Sequence, residues 1–124
     1  MHVLRKMVNA VRRDGIVLDL QVIRPNPHVE LDGGVLSEID GEPLFRKADA
    51  ATAAIDALVA AGGLVEEGID DHDVMKHYRT GAHLVDDFAG KDRRLLGDAS
   101  SSLQAVMRPC VVRERCRLRR LSVQ

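Results

Sequence analysis

Residues 3–27, VLRKMVNAVRRDGIVLDLQVIRPNP, constrain the fold more than any other stretch. Val3, Leu4, Met7, Val8 and Val11 recur at helical spacing and form one apolar stripe. Arg12 and Arg13 suit a last helical turn, and Gly15 suits a left-handed cap after Asp14. Residues 16–23 are a short apolar run rich in β-branched side chains, with Asp19 and Gln21 as its polar members. That texture predicts a strand buried on both faces, as in parallel sheets. Two prolines make Arg24-Pro25-Asn26-Pro27 a loop. Helix, turn and strand make one repeat of an α/β sheet, and no upstream residues supply the strand's neighbours. The expectation is the later half of a larger fold, with one strand edge left open to a partner.

The rest of the chain alternates in the same way. Residues 29–31 and 35–39 flank Asp32-Gly33-Gly34 and read as a small hairpin. A helix is expected over 44–61, with Leu44, Ala48, Ala51, Ile55, Leu58 and Val59 on its apolar face and Gly62-Gly63 as its stop. Residues 64–67 and 73–78 read as two pieces of one strand broken around 68–72. Thr80 is placed to cap a short helix over 82–89. A further helix over 101–108 and a last strand over 111–123 complete the order. A helical crossover between the strand at 16–23 and the later one implies parallel pairing with a right-handed connection.

A chain of 124 residues forms one domain, 1–124, with a modest core. With Phe45, Phe88 and Tyr78 as its aromatics, that core is aliphatic. Charge is segregated: residues 30–73 hold twelve acids against Arg46 and Lys47, and residues 108–120 hold six arginines against Glu114. Such a distribution favours self-complementary packing, or one acidic and one basic surface. If Cys110 and Cys116 share a strand, roughly 20 Å separates them, too far for a disulfide. Unbridged cysteines imply a reducing, cytoplasmic setting, and no apolar run approaches membrane-spanning length.

In element order the chain resembles the C-terminal half of class I S-adenosylmethionine-dependent methyltransferases. LRKMVNAVRRDGIVLDLQVI resembles the helix leading into that family's fifth strand, and GEPLFRKADAATAAIDALVAAGGLVEEG the variable region and helix that follow. HDVMKHYRTGAHLVDDFAG and PCVVRERCRLRRLSV resemble the end of the sixth strand and the antiparallel seventh, which inserts between strands five and six. The resemblance implies an α/β fold: a partial Rossmann-like, three-stranded mixed sheet with flanking helices and a small hairpin. It implies S-adenosylmethionine for the complete family domain. This chain carries no Gly-rich strand-to-helix loop, because Gly33-Gly34 falls in the hairpin and Gly62-Gly63 ends a helix. The chain alone is therefore expected to bind no cofactor and to be inactive. The rival expectation is a non-catalytic binding or dimerisation module that uses an exposed sheet edge.

Three groups of residues invite a functional reading. Arg24, Asn26 and His28 follow the C-terminal end of a sheet strand, where ligands of open α/β sheets bind, and in the resembled family that region borders the substrate. Asp70, Asp71, His72, Asp73, His77, His83, Asp86 and Asp87 are metal-ligand types without zinc spacing, and solvated side chains account for them. Arg113, Arg115, Arg117 and Arg119 alternate on one strand face, while Val112, Cys116 and Leu118 are assigned to the core. The stripe lacks the aromatic platforms of single-strand binders, so a solvated or acid-paired face is expected rather than a nucleic-acid partner. The partners expected instead are a second copy or an upstream methyltransferase half.

Overall fold

The computed structural model describes residues 14–91 and 93–124. The expected N-terminal helix lies outside the described residues. The described residues form six strands and three helices in the order β1 (Ile16–Val22), β2 (His28–Leu31), β3 (Gly34–Asp40), α1 (Glu42–Ala60), β4 (Leu64–Tyr78), α2 (Gly81–Phe88), β5 (Arg94–Leu95), α3 (Ala99–Gln104) and β6 (Cys110–Val123).

The sheet corrects the expected fold class. Every recorded strand pair is antiparallel, and six strands take part rather than three. The organiser is β6. One of its edges pairs with β4 along its whole length, Leu64↔Val123 to Tyr78↔Cys110. Its other edge is shared, with β1 from Ile16↔Ser122 to Val22↔Cys116 and β2 from His28↔Arg113 to Glu30↔Val111. The last strand does lie antiparallel between the other two long ones. The expected three-stranded mixed, Rossmann-like sheet does not form: β2, β3 and β5 enlarge the sheet to six strands, and β1 and β4 each pair antiparallel with β6 and not in parallel with one another. The hairpin then joins the sheet through β2 instead of standing apart from it.

Local signals explain several elements. The hairpin turn uses Asp32 and Gly33 at positive φ, 53° and 81°, the pairing that two-residue hairpin turns require. Pro43 in the first turn of α1 costs no helical hydrogen bond. Thr80 caps α2, its hydroxyl accepting from the His83 N–H at 3.1 Å. The break expected at 68–72 shrinks to one irregularity between Glu66 and Gly68, and β4 runs on through it. The helix expected over 101–108 is shorter and earlier, at Ala99–Gln104.

Strand parity places the cores. Residues directly opposite in an antiparallel pair point to the same face. Val29, Tyr78, Cys110 and Val112 share one face and pack with Leu84 and Phe88 of α2 and Leu103 of α3. Val17, Leu64, Leu121 and Val123 share the other face and pack with Ile55 of α1. Helices thus cover the two faces at opposite ends of β6. Two half-faces stay uncovered among the described residues, one on each side of the sheet.

This corrects the reading of residues 16–23 as buried on both faces. Val17 is buried under α1, whereas Ile16, Leu18 and Leu20 are exposed. Leu118, assigned to the core, is half-buried on the same uncovered half-face. Val112 and Cys116 are buried as expected.

Candidate functional site

The loop after β1 separates the three expected substrate residues. Arg24, preceding a cis peptide to Pro25, turns toward α1. It donates to Glu42 and Asp49 at 3.1–3.4 Å, and its guanidinium stacks on Phe45 at 5.0 Å. Both acids raise its affinity for its proton, Asp49 first. Arg24 is a clamp between β1 and α1. Asn26 ties two segments: its Oδ1 accepts from the Gly41 N–H at 3.1 Å and its Nδ2 donates to Glu38. Gly41 must lack a side chain here, since a Cβ would lie 2.7 Å from Phe45.

His28 stands apart from Arg24 and meets the arginine stripe. Its Nε2 lies 2.7 Å from Glu30 Oε2, the oxygen that also accepts from Arg113 Nε at 2.5 Å. Arg113 first, then His28, holds the Glu30 carboxyl below the ordinary carboxylate range. Pro25, Asn26, His28, Asp73, Arg113 and Arg115 line a recess of about 120 Å³. Two of the three expected residues therefore share a small pocket with residues from β4 and β6, and Arg24 is not among them.

The stripe is paired with acids. Asp73 sits opposite Arg115, and Asp71 opposite Arg117, across the β4–β6 ladder. Asp73 accepts from Arg113 and Arg115 at 3.2 Å each, and Asp71 takes a bidentate bond from Arg117 at 2.8 and 2.9 Å. Asp73 and Asp71 are held below their ordinary range by these arginines, Arg115 first for Asp73 and Arg117 for Asp71. Arg119 departs from the expected solvent-facing stripe: it is buried at 7% exposure under α1, bonded to Glu66 and Asp56. Each arginine of this face has a carboxylate neighbour, so the half-face is close to neutral and offers no free basic track to a phosphate backbone.

A second polar cluster gathers around Asp87. Among the described residues no three His, Cys, Asp or Glu side chains converge as a metal site requires. Asp87 is a hub: it accepts from the Tyr78 hydroxyl at 2.5 Å and from Lys76 and Lys91 at 2.9 Å. These bonds, Tyr78 first, depress its carboxyl strongly. Cys110 and Cys116 are free thiols, buried, with ionisation disfavoured first of all by that burial. They act as small apolar side chains.

Tyr78 carries a pH consequence. It is 2% exposed, and burial first, then Asp87, pushes its phenol up to about 12. Below pH 10 it is protonated in both folded and unfolded chains, and no difference arises. Between pH 10 and about 12 the unfolded chain ionises first, so stability falls by about 1.4 kcal/mol per pH unit. Denaturant melts between pH 9 and 12 should show this component in the parent and lose it in Tyr78→Phe. Equal slopes in both proteins would assign the alkaline loss to other groups.

The second uncovered half-face is apolar. Ile16, Leu18 and Leu20 of β1 are 40%, 62% and 55% exposed, and Val65 of β4 and the half-buried Leu118 adjoin them. On the outer side of β1 no strand pairs among the described residues. An unpaired edge and a row of exposed leucines thus occur on one strand, and its single charge, Asp19, points to the opposite face. The pattern offered a partial signal: Asp19 and Gln21 alternate with Leu18, Leu20 and Val22. It did not say which face the helices would leave open.

No helix of the described residues is long and apolar enough to cross a membrane. No family model, no curated protein and no solved structure matches the chain.

Proposed function

We propose that this chain is a non-catalytic association module whose docking surface is the apolar half-face of β1, β6 and β4. The observation that carries the reading is the exposure of Leu18 and Leu20 on one face of β1, a strand paired along its length with β6. Scattered exposed apolar residues need no explanation, but a contiguous patch marks an interaction surface. The polar groups argue the same way. The arginines Arg113, Arg115, Arg117 and Arg119 and the Tyr78–Asp87 pair are engaged with neighbouring groups, which is what a scaffold does with its charges. The methyltransferase-like reading rested on element order, and the mixed sheet that it implied does not form.

The face is preferred over the bare edge as the contact. Pairing an open strand edge exchanges bonds to water for bonds to protein, so it gains only about 0.5–1.5 kcal/mol per bond. Edge pairing would also leave the leucines in solvent. Face packing removes them from water at about 25 cal/mol per Å².

The test is the double substitution Leu18→Ser with Leu20→Ser, melted in denaturant at low protein concentration. If the half-face lies outside the chain's own core, stability should stay within about 0.5 kcal/mol of the parent. A loss of about 2 kcal/mol or more, the size of a core truncation, would mean that the chain itself covers these leucines and would end the docking reading.

A further inference from the structure

The occupant of this half-face can be named from its charges. We infer that it is a second copy of the chain, packed face to face about a two-fold axis. The inference rests on the docking reading above and adds the partner and its register.

The half-face is ordered in rows across β1, β6 and β4. One row is Leu18, Arg120 and Gly68, and the next is Leu20, Leu118 and Asp70. The patch therefore carries one cation and one carboxylate beside its leucines. Arg120 is exposed and makes no ion pair among the described residues. Asp70 is 72% exposed, with His72 Nδ1 at 3.0 Å. The other strand-borne arginines of this region, Arg113, Arg115, Arg117 and Arg119, already hold carboxylates.

Rows of this kind are self-complementary under one arrangement. The axis lies between the two sheets, perpendicular to the strands, and passes between the Leu18 row and the Leu20 row. Leu18 of one copy then faces Leu20 of the other. Arg120 faces Leu118 and lies diagonally beside Asp70 of the second copy. Asp70 in turn comes over Gly68, where the absent side chain leaves room: a Cβ there would meet nothing within 4 Å. Packed sheets stand about 10 Å apart, a gap that an arginine and an aspartate span together. A two-fold contact uses one patch twice, so each charge pair and each leucine pair forms twice. Exposed patches of this kind run to a few hundred Å², and doubling one reaches only the lower range of specific interfaces, about 1,000 Å². The dimer is therefore weak and concentration-dependent.

The experiment is sedimentation velocity on the full chain from about 2 to 200 μM, spanning the micromolar affinities of small interfaces. The parent should shift from monomer toward dimer, and Leu18→Ser with Leu20→Ser should abolish the shift. Arg120→Glu alone and Asp70→Arg alone should each weaken association about tenfold or more, since each places like charges together. The two exchanges combined should restore it to within about threefold. Failure of the combined variant to recover would overturn the register. A parent that stays monomeric throughout, with the leucine variant still as stable as the parent, would overturn the second copy as occupant and leave the docking surface standing. A chain that dimerises only after deletion of residues 1–13 would assign the face to those residues instead. Loss of stability in the leucine variant would instead sink the docking reading itself.

Discussion

Gly81→Ala should be among the most damaging single-methyl changes in this chain. Gly81 opens α2, and its N–H donates to the Val106 carbonyl at 2.9 Å, which fastens α2 to the turn after α3. That bond draws the two backbones together. A Cβ at position 81 would fall inside the contact radius of the Leu103 carbonyl oxygen and lie 2.9 Å from Val106 Cβ. The obstacle is backbone, so no side-chain rotation relieves it. Either α3 moves off, carrying the fully buried Leu103 out of the core of Val29, Ile39, Leu84 and Val112, or the Gly81–Val106 bond breaks. Overpacking typically costs 1–3 kcal/mol and more where backbone must shift; about 3 kcal/mol or more is expected here. Gly34→Ala is the control. Gly34 has no positive φ, and its nearest neighbour would be 3.8 Å away, so the change should stay within about 0.5 kcal/mol. Urea melts of the two variants decide the matter, and comparable midpoints would show that α3 yields without loss.

The need for glycine at position 81 was not legible in the sequence, and the reason is general. Thr80 announced a helix start correctly, because capping is local chemistry between residues three apart. The hairpin at Asp32-Gly33 and the stop at Gly62, φ 82°, were legible on the same ground. Pairing partners are a different kind of fact. An apolar run such as residues 16–23 fits a parallel strand, a sandwich strand or an edge strand whose partner is elsewhere. The resemblance placed the last strand antiparallel between the two earlier long ones, where β6 lies, but nothing local announced that β2, β3 and β5 would join the same sheet or that every pair would be antiparallel. The candidate site suffered the same limit. Asn26 and His28 do reach a recess with Arg113 and Arg115, some eighty-five residues away in sequence, but Arg24, two residues from Asn26, is drawn off by Glu42 and Asp49. Which strand residues lost their covering helix depended on where α1, α2 and α3 landed, and no local pattern records that.

Arg119 and Arg117 should respond very differently to the same truncation, although alternation alone makes them equivalent. Arg117 is a surface partner: its side chain is 42% exposed and its bond to Asp71 is open to water. Such pairs contribute about 0–1 kcal/mol, so Arg117→Ala should change stability by no more than that. Arg119 lies on the same face one row farther along β6, where α1 closes over the sheet. Its side chain is 8% exposed, its Nε donates to Glu66 Oε2 at 2.5 Å, and its terminal nitrogen meets Asp56 of α1 at 2.9 Å. Burial opposes its charge, and the bonds to Glu66 and Asp56 restore it, leaving the guanidinium more firmly protonated than usual. Truncation therefore removes three things at once: the stem packed under α1, the link from β6 to the helix, and the cation facing a Glu66 that is only 29% exposed. Breaking a buried pair from one side typically costs 3–5 kcal/mol. Asp56 is 60% exposed and can rehydrate, so about 2–4 kcal/mol is expected for Arg119→Ala. Arg119→Met keeps the stem and should recover part of that loss, and Arg119→Met with Glu66→Gln should recover more by removing the stranded charge. Denaturant melts in low and high salt separate the cases, since screening acts on the exposed Arg117 pair and far less on the buried one. Equal losses for Arg117→Ala and Arg119→Ala would mean that α1 does not seal this end of the sheet.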